Sequence, residues 1–144
     1  MQIHGSCGSL GGAGVLLIGA PGSGKSDLLL RLLDRGFALV ADDQVIVENG
    51  WARVPSALAG LLEIRGLGIL RLDHDAETRL ALVVELAEPV DRLPQPMRYA
   101  ALDLPMMRLN GWQASAPAIV AMALDCALGR VVQVAGAFAA GPSP

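Results

Sequence analysis

The chain has 144 residues and a formal net charge of -3 at neutral pH, a length that suits one domain with a substantial core over 1–144. Its arginines are scattered on a slightly acidic chain, which excludes a basic stripe for nucleic acid. Despite a mean hydropathy of +0.48, no apolar run reaches the roughly 18 residues of a membrane-spanning helix. The start of the chain does not resemble a signal peptide, and the two cysteines have no C-x-x-C spacing. We therefore expect a reduced, cytoplasmic protein that binds neither membrane nor nucleic acid.

Short strands and two helices are predicted along the chain. In chain order the patterns predict a strand at 15–18, a helix from 27 to near Gly36, a strand at 37–40, a hairpin over 44–54, strands at 61–64, 68–72 and 80–86, loop with one short strand between 89 and 105, and a helix over 116–128. The hairpin depends on Asn49-Gly50, and the last helix on Ser115 as N-cap with Pro117 just inside. Together these elements predict an α/β fold with a mixed, partly antiparallel sheet and few helices. The apolar stretch 131–140 is left open as a subunit contact or a loose end.

A glycine-rich loop matches the pattern G-x-x-x-x-G-K-[ST]. Its residues are Gly19, Ala20, Pro21, Gly22, Ser23, Gly24, Lys25 and Ser26. Lys25 is the only lysine, beside ten arginines, and a compact ammonium suits a phosphate-binding loop better than a planar guanidinium. A strand before the loop and a helix after it are the setting that a phosphate site needs, with Ser26 offering its hydroxyl to Mg²⁺. The alternative is a turn that only joins a strand to a helix.

Acidic residues follow in two places. Asp42 and Asp43 end the next predicted strand, where they are placed to face Mg²⁺ or an acceptor hydroxyl. Neighbours in a strand point to opposite faces, so we expect the two aspartates to have different roles. Glu63 and Arg65 are predicted to share one strand face and to present a carboxylate and a guanidinium to one site. The alternatives are that the aspartates cap a turn and that Glu63 and Arg65 form a solvated ion pair.

Four segments together resemble one family. They are Ile3-His4-Gly5, the glycine-rich loop, Leu39-Val40-Ala41-Asp42-Asp43, and Glu63-Ile64-Arg65-Gly66-Leu67-Gly68-Ile69. The chain resembles the catalytic domain of the HPr kinase/phosphorylase family, bacterial enzymes that phosphorylate a serine of the carrier protein HPr. The resemblance covers about the first half of the chain and continues more weakly through Val90-Asp91-Arg92-Leu93 to the second predicted helix.

The resemblance implies a P-loop kinase core like that of phosphoenolpyruvate carboxykinase, acting as a serine kinase with Mg²⁺ and ATP, or with pyrophosphate as the donor. It implies that Lys25 holds the β and γ phosphates, that Ser26 and Glu63 bind Mg²⁺, and that Asp43 takes the proton of the serine. Asp42 is assigned to the same metal from its position at the strand end. His4 and Arg92 match active-site positions, and Arg65 lies in a segment tied to both reaction directions. The implied partner is an HPr-like phosphocarrier protein, and the implied assembly is a homo-oligomer, a hexamer in the family.

Two departures from the family pattern bear on function. The usual N-terminal domain is missing, which leads us to expect a compact, catalytic-domain-only form. Pro105-Met106-Met107-Arg108-Leu109-Asn110 stands where the family has a segment linked to dephosphorylation, so phosphorolysis is left open. The alternatives are a small-molecule P-loop kinase, which the hairpin disfavours, and a non-catalytic nucleotide-sensing module, which would not need both Asp43 and Glu63.

Overall fold

The computed structural model describes residues 1–139, so the end of the apolar stretch 131–140 lies outside the described residues. Within them the chain forms strands and two helices. The strands are β1 (Gln2–His4), β2 (Ser6–Leu10), β3 (Ala13–Gly19), β4 (Ala38–Ala41), β5 (Gln44–Glu48), β6 (Trp51–Arg53), β7 (Leu61–Ile64), β8 (Gly68–Arg71), β9 (Glu77–Leu86), β10 (Met97–Tyr99) and β11 (Leu104–Leu109), and the helices are α1 (Lys25–Asp34) and α2 (Ala116–Ala127).

A large mixed sheet carries the fold. Its strands follow the order β1-β5-β6-β9-β3-β2-β4, and β11 pairs with the second half of β9 and with β10, while β7 and β8 form a separate two-stranded sheet. Strand β9 runs parallel to both β3 and β11, with Leu86 opposite Gly19 on one side and Leu109 on the other. Because β2 is antiparallel to both β3 and β4, strand β4 also points the same way as β3. The carboxyl ends of β3, β4, β9 and β11 therefore meet at one edge.

Alternating side chains of the central strands feed two cores, one on each face of the sheet. On one face Leu17 packs in a cluster with Leu28 of α1 and Val120 of α2. On the other face Leu16 packs with Val45 and other strand residues. This period of two is what a strand buried on both faces requires. Burial of each such side chain contributes roughly 1.5–3 kcal/mol to the stability of the fold. The strands whose ends carry the loop are therefore packed on both faces.

The mixed sheet and both helices predicted from the sequence are confirmed, as is the hairpin, where Asn49 and Gly50 both have positive φ. The predictions missed β1 and β2 and did not foresee that β11 runs on to Leu109. Most residues of β2 are small. Gly8 packs against α1, where an added Cβ would lie 3.4 Å from a methyl group of Leu29, whereas Cys7 belongs to the core on the other face of the sheet. Neither helix in the described part of the chain is long and apolar enough to cross a membrane.

Candidate functional site

The glycine-rich loop joins β3 to α1 at the edge where the parallel strands end. Gly22 and Gly24 have φ values of 80° and 96°, a region that side chains rarely enter, so the backbone turns here because these residues are glycines. Helix α1 begins at Lys25 with Gly24 as its N-cap, and no side chain caps it. The N–H groups of the first helical turn are therefore free to bind an anion, which the partial positive charge of the helix terminus also favours.

Lys25 belongs to this loop through its side chain as well as its backbone. Its ammonium donates to the carbonyl oxygens of Gly19 at 2.9 Å and Ala20 at 3.2 Å. The residue is only 8% exposed. The only lysine of the chain thus lies in the loop, and its ammonium is held against the loop's own backbone.

Asp42 ties the start of α1 to the end of β4. One of its carboxylate oxygens, Oδ1, accepts hydrogen bonds from the Ser26 hydroxyl at 2.9 Å and the Ser6 hydroxyl at 2.8 Å. Ser6 was not singled out from the sequence, because its role depends on the pairing of β2 with β4. The loop serine and the first aspartate are thus brought together, as the sequence predicted.

This hydroxyl and carboxylate suit Mg²⁺, a hard cation that takes oxygen ligands and usually keeps several waters. Residues 1–139 contain no group of three or more His, Cys, Asp or Glu side chains that could hold a metal ion. A magnesium ion held by Ser26 and Asp42 would therefore need further oxygen ligands, which phosphate groups and water usually help to supply where Mg²⁺ arrives with a nucleotide.

Asp43 faces a different partner from Asp42. Its carboxylate lies 3.2 Å from Nε2 of His4, and both side chains are largely exposed. The residue has a φ of 71°, which is uncommon for a residue other than glycine but is adopted more often by Asp and Asn than by other side chains. The prediction that the two aspartates occupy opposite faces of a strand is wrong, because β4 ends at Ala41 and both lie in the turn after it. They have different partners, and their different roles stay a prediction.

Three other predicted site residues are not brought to the loop by direct contacts. Glu63 is exposed on β7, and Arg92 is exposed between β9 and β10. Arg65 does not share a strand face with Glu63, because β7 ends at Ile64 and the chain turns there. Among the described residues, no hydrogen bond or ion pair joins any of the three to the loop or to the aspartates.

A segment that the sequence did not single out lies against the loop. Arg31 of α1 donates to the carbonyl oxygens of Gly111 and Gln113, which follow β11. The ring of Trp112 lies beside Gly24, where an added Cβ would be 3.1 Å from ring atom Cε2. Only the parallel pairing of β11 with β9 brings this segment to the loop, so local sequence patterns carried no signal for it.

Comparison with known proteins identifies the family. The model of the HPr serine kinase C-terminal domain matches residues 1–95. The HPr kinase/phosphorylases of Xylella fastidiosa (strain M12) and Xanthomonas campestris pv. campestris (strain B100) are each 39% identical to this chain, over 112 and 114 residues. These matches cover 69% and 71% of this chain but 35% and 36% of the relatives, so the chain spans about a third of their length.

A solved structure shows the same fold. The Hpr(Ser) kinase/phosphatase from Coxiella burnetii matches with a TM-score of 0.66 at 24% sequence identity, covering 85% of this chain and 92% of that chain. The likeness extends past the residues that the family model matches and includes most of the described sheet. The chain belongs to the HPr serine kinase C-terminal domain family.

Proposed function

We propose that this chain is a Mg²⁺-dependent protein serine kinase domain that transfers the γ-phosphoryl group of ATP to a serine of an HPr-type phosphocarrier protein. The observation that carries the proposal is the hydrogen bond from Ser26 to Asp42, which sets the glycine-rich loop directly beside the acidic pair. Phosphoryl transfer requires phosphates to be held and an acceptor hydroxyl to be aligned and deprotonated. Both needs are served within a few residues of that bond.

Each residue of the loop edge has a part in the proposed reaction. The loop N–H groups and Lys25 bind the phosphates, as in other P-loops. Ser26 and Asp42 would hold the magnesium ion, which neutralises charge on the β and γ phosphates when bound, and Glu63 is the second carboxylate proposed for it. Asp43 accepts the proton of the serine hydroxyl as the serine oxygen bonds to the γ-phosphorus and the bond to ADP breaks. His4, 3.2 Å from Asp43, orients that carboxylate.

Arg65 and Arg92 are proposed to act on the protein partner or on the transferred group. Both are exposed guanidinium groups, and arginine suits the recognition of carboxylates and phosphates through paired hydrogen bonds. Their role in phosphorolysis is a further part of the proposal. In that direction inorganic phosphate attacks the phosphoserine, pyrophosphate forms, and Asp43 returns a proton to the serine oxygen.

The remaining features of the proposal concern the whole chain. We infer that 1–144 acts as one catalytic domain with a phosphoenolpyruvate carboxykinase-like P-loop core, in a homo-oligomer. A cytoplasmic setting agrees with Cys7 and Cys126, which are both free thiols, as expected in a reducing compartment. The large mixed sheet also favours this proposal over a small-molecule kinase with a doubly wound parallel sheet.

A transfer assay tests the function. The chain would be incubated with Mg²⁺, γ-labelled ATP and the HPr-type protein of its own organism, and label is expected on one serine of the carrier. A carrier with that serine changed to alanine and a Lys25→Ala chain are the controls, and both should stay unlabelled. Label found only on free phosphate or on a small acceptor would contradict the proposal, and nucleotide binding without transfer would favour a nucleotide-sensing module.

A further inference from the structure

Trp112 covers one side of the glycine-rich loop with the face of its ring. A Cβ built on Gly24 would lie 3.1, 3.2 and 3.3 Å from ring atoms Cε2, Cζ2 and Cδ2 of Trp112. Nearly equal distances to three adjacent ring atoms mean that Gly24 lies over the ring face rather than beyond its edge. Yet 60% of Trp112 is exposed, so much of its surface remains open to solvent beside the loop.

The backbone that carries Trp112 is fixed in place by several contacts. The Trp112 N–H donates to the side-chain oxygen of Asn110 at 2.9 Å, and the Asn110 amide donates to Glu88 at 2.7 Å. Arg31 holds the carbonyl oxygens of the residues on both sides of Trp112. Gly111 packs closely on Leu86, since an added Cβ would lie 2.8 Å from a terminal methyl group of that side chain. An exposed indole on such a rigid support is preorganised for binding.

Trp112 and the acidic pair lie on opposite sides of the loop. Strand β3, which delivers the loop, has β2 and then β4 with Asp42 on one side, and β9 and then β11 with Trp112 on the other. A nucleotide whose terminal phosphates face Asp42 must extend its sugar and base away from that carboxylate. The side of the loop opposite Asp42 is the side that presents the open indole.

We propose that Trp112 is the stacking surface for the base of the nucleotide and makes this site prefer nucleoside triphosphates over bare polyphosphates. The inference rests on the proposed function and extends it to the choice of phosphoryl donor. A base stacks on an aromatic side chain through its π-face with little dependence on base identity. Purine nucleotides with different bases should therefore bind with similar affinity, and pyrophosphate should be the poorer donor.

Fluorescence tests the contact directly. The chain has two tryptophans, and Trp51 lies on β6, where Arg79 covers its ring at 5.8 Å. In a Trp51→Phe chain all indole emission comes from Trp112, and it is excited at the red edge of the indole band, where adenine does not absorb. We expect Mg²⁺ with ATP or GTP to quench this emission, and Mg²⁺ with tripolyphosphate to bind, by calorimetry, with much less quenching. Equal quenching by tripolyphosphate would overturn the proposal.

Affinity measurements on variants separate stacking from packing. Trp112→Ala should weaken ATP binding about tenfold or more and leave tripolyphosphate binding unchanged. Trp112→Phe should retain most of the ATP affinity, whereas Trp112→Leu, which still fills space beside Gly24, should not. Equal losses for ATP and tripolyphosphate in all three variants would make Trp112 a structural support of the loop and overturn the proposal. The proposal would also be overturned if the Trp112 emission changed with protein concentration but not with ATP. A second copy of the chain would then be what covers the Trp112 ring.

Failure of the stacking role of Trp112 can be distinguished from failure of the proposed kinase function. If label reaches the carrier serine but ATP and tripolyphosphate bind alike, the kinase stands and the stacking role of Trp112 fails. If ATP binds with a Trp112-dependent preference but no label reaches the carrier, the stacking role stands and the kinase fails.

Discussion

At the scale of single residues, the two aspartates after β4 allow a paired test. Asp43→Asn keeps the shape of the side chain and removes its capacity to accept a proton. We expect ATP binding to be unchanged, because Asp42 rather than Asp43 contacts the loop serine. Phosphoryl transfer should fall about 10²–10⁴-fold, the usual contribution of a general base. Calorimetry with ATP and Mg²⁺ in the absence of the carrier gives the binding, and labelled transfer to the carrier gives the rate.

Asp42→Asn is the matched control for that experiment. In the native chain Asp42 Oδ1 accepts hydrogen bonds from both Ser6 and Ser26, and Asp42 is the carboxylate proposed to bind magnesium. We expect this variant to lose the Mg²⁺-dependent part of ATP affinity, which Asp43→Asn should retain. Should the Asp43 variant lose binding to the same extent, Asp43 would be a metal ligand or a structural residue instead of the base.

At the scale of elements, one arginine joins helix α1 to the segment after β11. Arg31 donates to the carbonyl oxygens of Gly111 and Gln113 and pairs with Asp27 one turn earlier in α1. Arg31→Met keeps much of the aliphatic packing but leaves both carbonyl oxygens without a charged donor. We expect the free energy of unfolding to fall by about 1–3 kcal/mol, as for other hydrogen bonds to charged groups. Urea denaturation followed by circular dichroism measures it.

The same helix supplies the control. Arg35 is exposed at the C-cap of α1, and Arg35→Met should change stability by no more than about 0.5 kcal/mol, as at most surface sites. Amide exchange should show faster opening around Trp112 in the Arg31 variant than in the Arg35 variant. Equal effects of the two changes on stability and exchange would show that the ties to Gly111 and Gln113 contribute little.

Local patterns predicted the elements whose signals lie within a few residues. The Asn49-Gly50 hairpin, helix α1 and the buried run of β3 are of this kind. Strand β2 escaped prediction because small residues such as Gly8 have low strand propensity, and β2 is held in the sheet by its pairing with β3 and β4. The extent of strand β11 was missed for two reasons. It contains Pro105, which is unfavourable in a strand, and it pairs with β9, which lies some distance earlier in the chain.

The residues of the candidate site also fall into those that local sequence patterns predicted and those that depend on strand pairing. The loop motif and the Asp pair were predicted together because parallel strand ends share an edge, and the bond from Ser26 to Asp42 confirms that they meet. Ser6 and Trp112 were missed because strand pairing alone brings Ser6 to Asp42 and Trp112 to the loop. Arg65 was assigned to a strand face because an alternating pattern does not show where a strand ends, and here β7 ends one residue earlier.

At the scale of the whole molecule, the two thiols report how the sheet opens. Cys7 of β2 has no exposed surface and lies in the core on one face of the sheet. Burial raises the pKa of the Cys7 thiol, so the reactive thiolate is scarce at neutral pH even where a reagent gains entry. Cys126 of α2 is only half-buried.

We therefore expect a thiol reagent such as iodoacetamide to modify one cysteine in the native protein and two in denaturant, with Cys126→Ser removing the native reaction. The slow labelling of Cys7 should follow global unfolding, because β2 lies between β3 and β4 and its exposure requires the sheet itself to come apart. Addition of ATP with Mg²⁺ should slow that labelling further, since a ligand that binds only the folded state lowers the unfolded fraction. Native labelling of Cys7 at a rate close to that of Cys126 would mean that β2 detaches on its own. Ser6, which is held on Asp42, would then not be a fixed part of the site.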